Sequence, residues 1–151
     1  MEYRYLTLGE KFEALQKLHE LDRLEHLLPS GAINLEIFER VKIVGAFDED
    51  GEIAFVYWTY NPDAEAKRRF IAVGALRQLG REMLRQMRHV VSHLTREWEL
   101  WGEVDADNPR GVKLAELCGF TVEAVLDSRI IVKHEREKVW EKAAEITMCR
   151  R

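Results

Sequence analysis

Leu100-Trp-Gly-Glu-Val-Asp-Ala-Asp-Asn-Pro-Arg-Gly-Val-Lys-Leu-Ala-Glu-Leu-Cys-Gly-Phe120 decides how this chain folds. Its first seven residues, Leu100 to Ala106, mix β-formers with alternating polar positions and predict a strand. Asp107 or Asn108 is a helix cap, and Pro109 suits a first helical turn because its missing N–H has no helical partner to lose. The helix this opens, Asn108 to Leu117, is predicted to stop at Gly119. The unit is a strand, a capped turn and a short helix.

Upstream, Leu84, Met87, Val91, Leu94 and Trp98 recur at helical spacing and predict a long helix from about Leu79 to Glu97. An unbroken helix from Ala64 would run to about three times the mean length and would contain Gly74 and Gly80. A strand over Lys67–Val73, followed by a turn, is preferred. The Asp48-Glu49-Asp50-Gly51 turn joins the β-rich runs Val41–Phe47 and Glu52–Tyr60 into a hairpin that Asn61-Pro62-Asp63 ends. Before it come a strand at Tyr3–Thr7 and a helix capped by Thr7, with Glu10 placed for a capping box. Leu8, Phe12, Leu15, Leu18, Leu21, Leu24 and Leu28 carry that helix to Pro29-Ser30-Gly31. Ile33–Arg40 reads as a second short helix, and Thr121–Val132 and Ala144–Cys149 as closing strands. A hairpin combined with strand–helix–strand units predicts an α/β (α+β) mixed sheet in one domain, residues 1–151. Six or seven mostly antiparallel strands and about four helices are expected. Lys67–Val73 and Leu100–Ala106 should be parallel neighbours, with the long helix as their right-handed crossover.

Composition narrows the function classes. The 151 residues are 46% hydrophobic, with four Trp, four Tyr and six Phe, which excludes a disordered chain. No apolar run reaches the roughly 20 residues of a membrane span, and the N-terminus lacks a signal-peptide stretch. With only Cys118 and Cys149, a reducing cytoplasm is the expected compartment. The net charge of −4 hides a basic middle: Lys67–Arg96 holds eight of the 23 basic residues and one of the 27 acidic ones. Such a patch in an acidic chain points to an anionic ligand held locally, or to a solvated Arg-rich face.

The Asn108–Phe120 pattern resembles the GNAT superfamily of acyl-CoA-dependent N-acyltransferases. Asn108, Leu114, Gly119 and Phe120 match its Asn-to-Gly-Phe helix motif, with Gly111 in place of a small Ala. Arg77-Gln78-Leu79-Gly80-Arg81-Glu82 matches the Arg and first Gly of that family's acyl-CoA loop, and Gly80 precedes Asn108 by 28 positions, room for one long helix and one strand.

The resemblance implies acetyl-CoA or CoA as cofactor, held by Val73, Ala75, Arg77, Leu79, Gly80, Arg81, Glu82 and Asn108. Backbone N–H groups at the helix start would grip the pyrophosphate, and Asn108 would line the pantetheine arm. It also implies that the parallel pair splays at its C-terminal ends, and that a neutral amine attacks the thioester with the oxyanion met by backbone N–H near Val73. The acceptor would be a small-molecule or protein amine. Three positions depart from the family. Glu82 replaces a small residue, Ala115 stands where a Tyr commonly protonates the leaving thiolate, and Lys67–Val73 lacks the common general-base Glu. Glu103 and Asp105, on one side of their strand, are then the candidate catalytic carboxylates.

These departures keep an alternative open: a catalytically silent GNAT-fold structural or binding protein, such as a phage virion or assembly component. Homodimerisation is a further open partner. Nucleic acid is disfavoured, since the Arg-rich helix has no base-reading motif. His89 and His93 have the i, i+4 spacing of many zinc sites but lack the intervening Glu and a third ligand, so no metal is assigned. His19 and His26 receive no role. Tyr57 and Tyr60 fall on opposite strand faces, Trp58 is expected in the core, and Cys118 reads as a buried small hydrophobe rather than a nucleophile.

Overall fold

A computed structural model describes residues 1–28 and 39–137. In chain order these form β1 (Glu2–Tyr5), α1 (Leu8–Glu20), α2 (Leu24–Leu27), β2 (Val44–Phe47), β3 (Ile53–Asp63), β4 (Arg68–Ala75), α3 (Arg81–Thr95), β5 (Glu99–Asp105), α4 (Pro109–Leu117), β6 (Thr121–Leu126) and β7 (Arg129–His134). The seven strands make one sheet in the order β1-β2-β3-β4-β5-β7-β6. Every pairing is antiparallel except β4 with β5.

Local chemistry accounts for most boundaries. Thr7 and Glu10 form the reciprocal capping box, and Arg4 grips the same Glu10 carboxylate at 2.8 and 2.9 Å. Asp48 Oδ1 accepts from the Asp50 and Glu52 N–H groups and so closes the β2–β3 turn. Asn108 caps α4 through the Gly111 N–H at 3.1 Å, with Pro109 in the first turn.

Three expectations need correction. The first helix does not run to Leu28. Asp22 takes a left-handed conformation (φ 56°), the Arg23 N–H reaches Leu18 O, and the Asp22 N–H reaches His19 O. This is a Schellman ending with Asp in the place usually held by Gly. The chain restarts as α2 because Leu27 is needed in the core, where it is fully buried. Second, β3 continues through Asn61 and Pro62 to Asp63, across an irregularity after Tyr60 that tolerates the proline. Third, Thr121–Val132 is not one strand. Leu126 pairs with Arg129 across the two-residue Asp127-Ser128 turn, and the chain doubles back. The expected helix at Ile33–Arg40 falls almost wholly outside the described residues, and the strand at Ala144–Cys149 lies entirely outside them.

The sheet buries a layer on each face. Phe55, Tyr57, Ile71, Leu100 and Val132 pack beneath Met87, Val90 and Val91 of α3. Val56, Trp58 and Ala72 pack beneath Leu18 of α1 and Leu27 of α2. Tyr57 and Tyr60 lie on opposite faces, and Trp58 is core, its indole N–H donating to Leu27 O at 2.8 Å. Cys118 is buried, and burial pushes its thiol pKa up. No helix among the described residues is long and apolar enough to cross a membrane.

Candidate functional site

The parallel pair that organises the sheet is short. Arg68, Arg69 and Phe70 pair with Glu99, Leu100 and Trp101, and beyond that the strands separate. Backbone alternation tells which edge of β4 this exposes. The Leu76 N–H bonds to Ala54 O of β3, whereas Lys67 O receives the Glu99 N–H from the β5 side. The odd-numbered residues of β4 therefore turn their peptide groups toward β5. Past the last pairing, Val73 and Ala75 direct backbone groups into the opening.

The opening leads into a groove of about 1060 Å³. Its walls include Val73, Ala75, Arg77, Leu79 and Gly80 on the β4 side and Gly102, Glu103, Asp105 and Asn108 on the β5 side. Two expected residues are not on this wall. Arg81 is exposed at the start of α3, and Glu82 turns along the helix to Arg85 and Gln86. The acid in the loop is thereby directed away from the groove.

Gly80 supplies the geometry at the mouth. It precedes α3 with φ 56°, a region that strains residues carrying a Cβ, and no atom would crowd a Cβ there. At the start of α3 the Glu82 and Met83 N–H groups bond back to Leu79 O and Gly80 O at 3.1 and 3.2 Å, and the helix presents the positive end of its dipole there. Arg77 stands beside this helix start, held at 2.8 Å by Asp48 of the β2–β3 turn. Four others of the basic cluster are employed elsewhere. Lys67 and Arg69 lie over the Trp98 ring, Arg68 lies over Trp101, and Arg88 bonds to Leu117 O. His89, one of the paired histidines, packs against the Tyr3 ring.

On the α1–α2 face, Glu103 accepts from Arg129 of β7 at 3.1 Å, and Asp105 accepts the Asp107 N–H. Tyr60 of β3 is nearby. Burial foremost, and then the Glu103 charge, raise its hydroxyl pKa, so the phenol stays protonated. Ala115 is on the groove wall and brings no hydroxyl.

Sequence reasoning missed three groups here. Arg23 reaches from the turn before α2 to Ala75 O at 3.2 Å, His26 stands 3.4 Å from the Asn108 side chain, and Arg129 neutralises Glu103. The Schellman turn at Asp22 and the β6–β7 turn put them there, and both turns lack the Gly that makes such a turn legible.

The architecture has close counterparts among solved structures. A spermidine N-acetyltransferase from Vibrio cholerae in complex with CoA and spermine superposes with a TM-score of 0.69 at 9% identity, covering 89% of this chain and 95% of that one. This chain has the GNAT fold. A second GNAT structure, yncA from Salmonella typhimurium with its cofactor acetyl-CoA, gives a TM-score of 0.66 at 10% identity, covering 91% and 94%. A dodecameric form of the Vibrio enzyme gives 0.68 at 12% identity, covering 94% and 97%. No family model matches the chain, and no curated protein sequence does. The GNAT likeness is therefore one of tertiary structure, carried at identities where sequence comparison is silent.

Proposed function

We propose that this protein transfers an acyl group, most simply acetyl, from CoA to an amine in the groove between β4 and β5. The observation that carries this reading is the separation of β4 from β5 beside the Gly80 start of α3. It leaves a β4 edge with no partner strand and a helix N-terminus facing one cavity. The residues fit the cofactor. The positive end of the α3 dipole and the Arg77 guanidinium suit a pyrophosphate. The free edge of β4 suits the amide-bearing pantetheine arm, and Asn108 faces it across the groove.

Bound acyl-CoA supplies an activated carbonyl and a thiol leaving group. The Val73 N–H is directed to hold the carbonyl oxygen, and a rigid groove that positions amine and carbonyl can supply much of the rate. Glu103, paired with Arg129, and Asp105 place carboxylates on the groove wall where an amine would enter.

A second reading has its own observation. Ala115 leaves the groove without the family's usual acid, as expected of a GNAT-fold binding protein that does not turn over.

Calorimetry and thermal unfolding with CoA test the first claim, and release of free thiol from acetyl-CoA across a panel of primary amines tests the second. CoA at 100 times its Kd should stabilise the fold by about 2.7 kcal/mol. Gly80→Asp should remove that effect. Binding without thiol release would select the silent reading, and no binding at all would overturn both.

A further inference from the structure

We propose that His26 is the proton acceptor for the attacking amine, with Nε2 kept unprotonated by the Asn108 side chain; the inference rests on the acyl-transfer reading above. The orientation of the Asn108 amide is determined by its own cap. Its Oδ1 accepts the Gly111 N–H at 3.1 Å, so the Nδ2 protons turn outward, toward His26 Nε2 at 3.4 Å. A donor aimed at Nε2 requires a lone pair there. The neutral ring accordingly carries its proton on Nδ1. Protonating Nε2 would set N–H against N–H.

The surroundings act in the same direction. Burial is the largest influence lowering the proton affinity of His26, and Arg23 adds to it. Asp105 from β5, with Glu25 and Asp22 beside α2, oppose without reversing the effect. His26 is thus a neutral base at pH 7.

The 3.4 Å contact is long for a hydrogen bond, so an incoming N–H can displace Asn108 as the donor to Nε2. β4 carries no acid, and Glu103 is engaged with Arg129.

The proton transfer balances as follows. The amine nitrogen forms the C–N bond with its lone pair while the C–S bond breaks with its pair on sulfur. His26 Nε2 takes the N–H proton that the nitrogen sheds. The imidazolium, with Asp105 nearby, then returns that proton through water to the sulfur. This route supplies the proton that Ala115 cannot.

Two measurements test the inference. In 15N- and 13C-resolved NMR titration, His26 should be the Nδ1–H tautomer and should titrate below the ordinary 6.5. Asn108→Asp keeps an oxygen for the Gly111 cap but sets an acceptor opposite Nε2, and should switch the tautomer and raise the titration point. A wild-type Nε2–H tautomer, or a titration that Asn108→Asp leaves unmoved, overturns the inference. With an amine that the wild type acetylates, His26→Ala should lower kcat by about 10²- to 10⁴-fold and remove the acidic limb of the pH profile. Added imidazole should restore part of the rate, which a merely structural loss would not allow. A wild type that releases thiol, beside a His26→Ala variant with the same rate and profile, overturns His26 alone. A wild type that releases none with any amine overturns the acyl-transfer reading and this role with it.

Discussion

Gly74 of β4 lies directly under Leu18 of α1: a Cβ on Gly74 would stand 2.9 Å from Leu18 Cδ1 and 3.4 Å from Leu27 Cβ. The absence of that one carbon lets α1 and α2 seat against the sheet. It thereby sets the height of the groove wall that carries Arg23 and His26. Gly74→Val should destabilise the fold by about 1–3 kcal/mol through overpacking, read as a lower urea midpoint. Gly74→Ala should cost less, because the Leu18 methyl can shift.

The Trp58 indole is the second tie between sheet and α2. Trp58→Phe leaves Leu27 O buried without its 2.8 Å donor, at a cost of about 1–3 kcal/mol. Hydrogen exchange should report the loss at α2 before the rest of the sheet. The Michaelis constant for the amine should rise more than that for CoA.

Ala115 is on the groove wall of α4, and a tyrosine there would bring a phenol into the groove. A positioned general acid contributes about 10²- to 10⁴-fold. Ala115→Tyr should therefore accelerate thiol release if leaving-group protonation limits turnover. The gain should be largest with the least basic amines, and an unchanged rate would mean that another step limits.

Acid sensitivity follows from Glu10. The Arg4 guanidinium foremost, together with the Thr7 N–H, holds its carboxyl at about 2 instead of 4.5. The stability this confers is complete above pH 4.5 and is lost as the pH falls toward 2. His26, held below 6.5, contributes in the same direction at higher pH, its share fading as the ring protonates. Urea midpoints measured from pH 7 to pH 2.5 should fall in two stages. Glu10→Gln should flatten the lower stage and His26→Gln the upper.

The sequence by itself determined those local features whose capping and turn residues stand next to one another in the chain. The Thr7–Glu10 capping box, the Asp48 turn and the Asn108-Pro109 helix start all form as their residues dictate. The spacing from Gly80 to Asn108 was enough to place α3 and β5 between a loop and a cap, and the family resemblance added the splay of the parallel pair. Tertiary structure decided which side chains share the groove. Arg129 meets Glu103 across 26 positions, and His26 meets Asn108 across 82. Neither partner carries a local mark of the other. The break between α1 and α2 belongs with them: Asp22 has little intrinsic reason to turn left-handed, and the turn persists because burial of Leu18 and Leu27 on one sheet face outweighs continuing the helix. Short-range bonding is written residue by residue, whereas the proton-handling groups are set by packing between distant segments, which no single stretch of the chain contains.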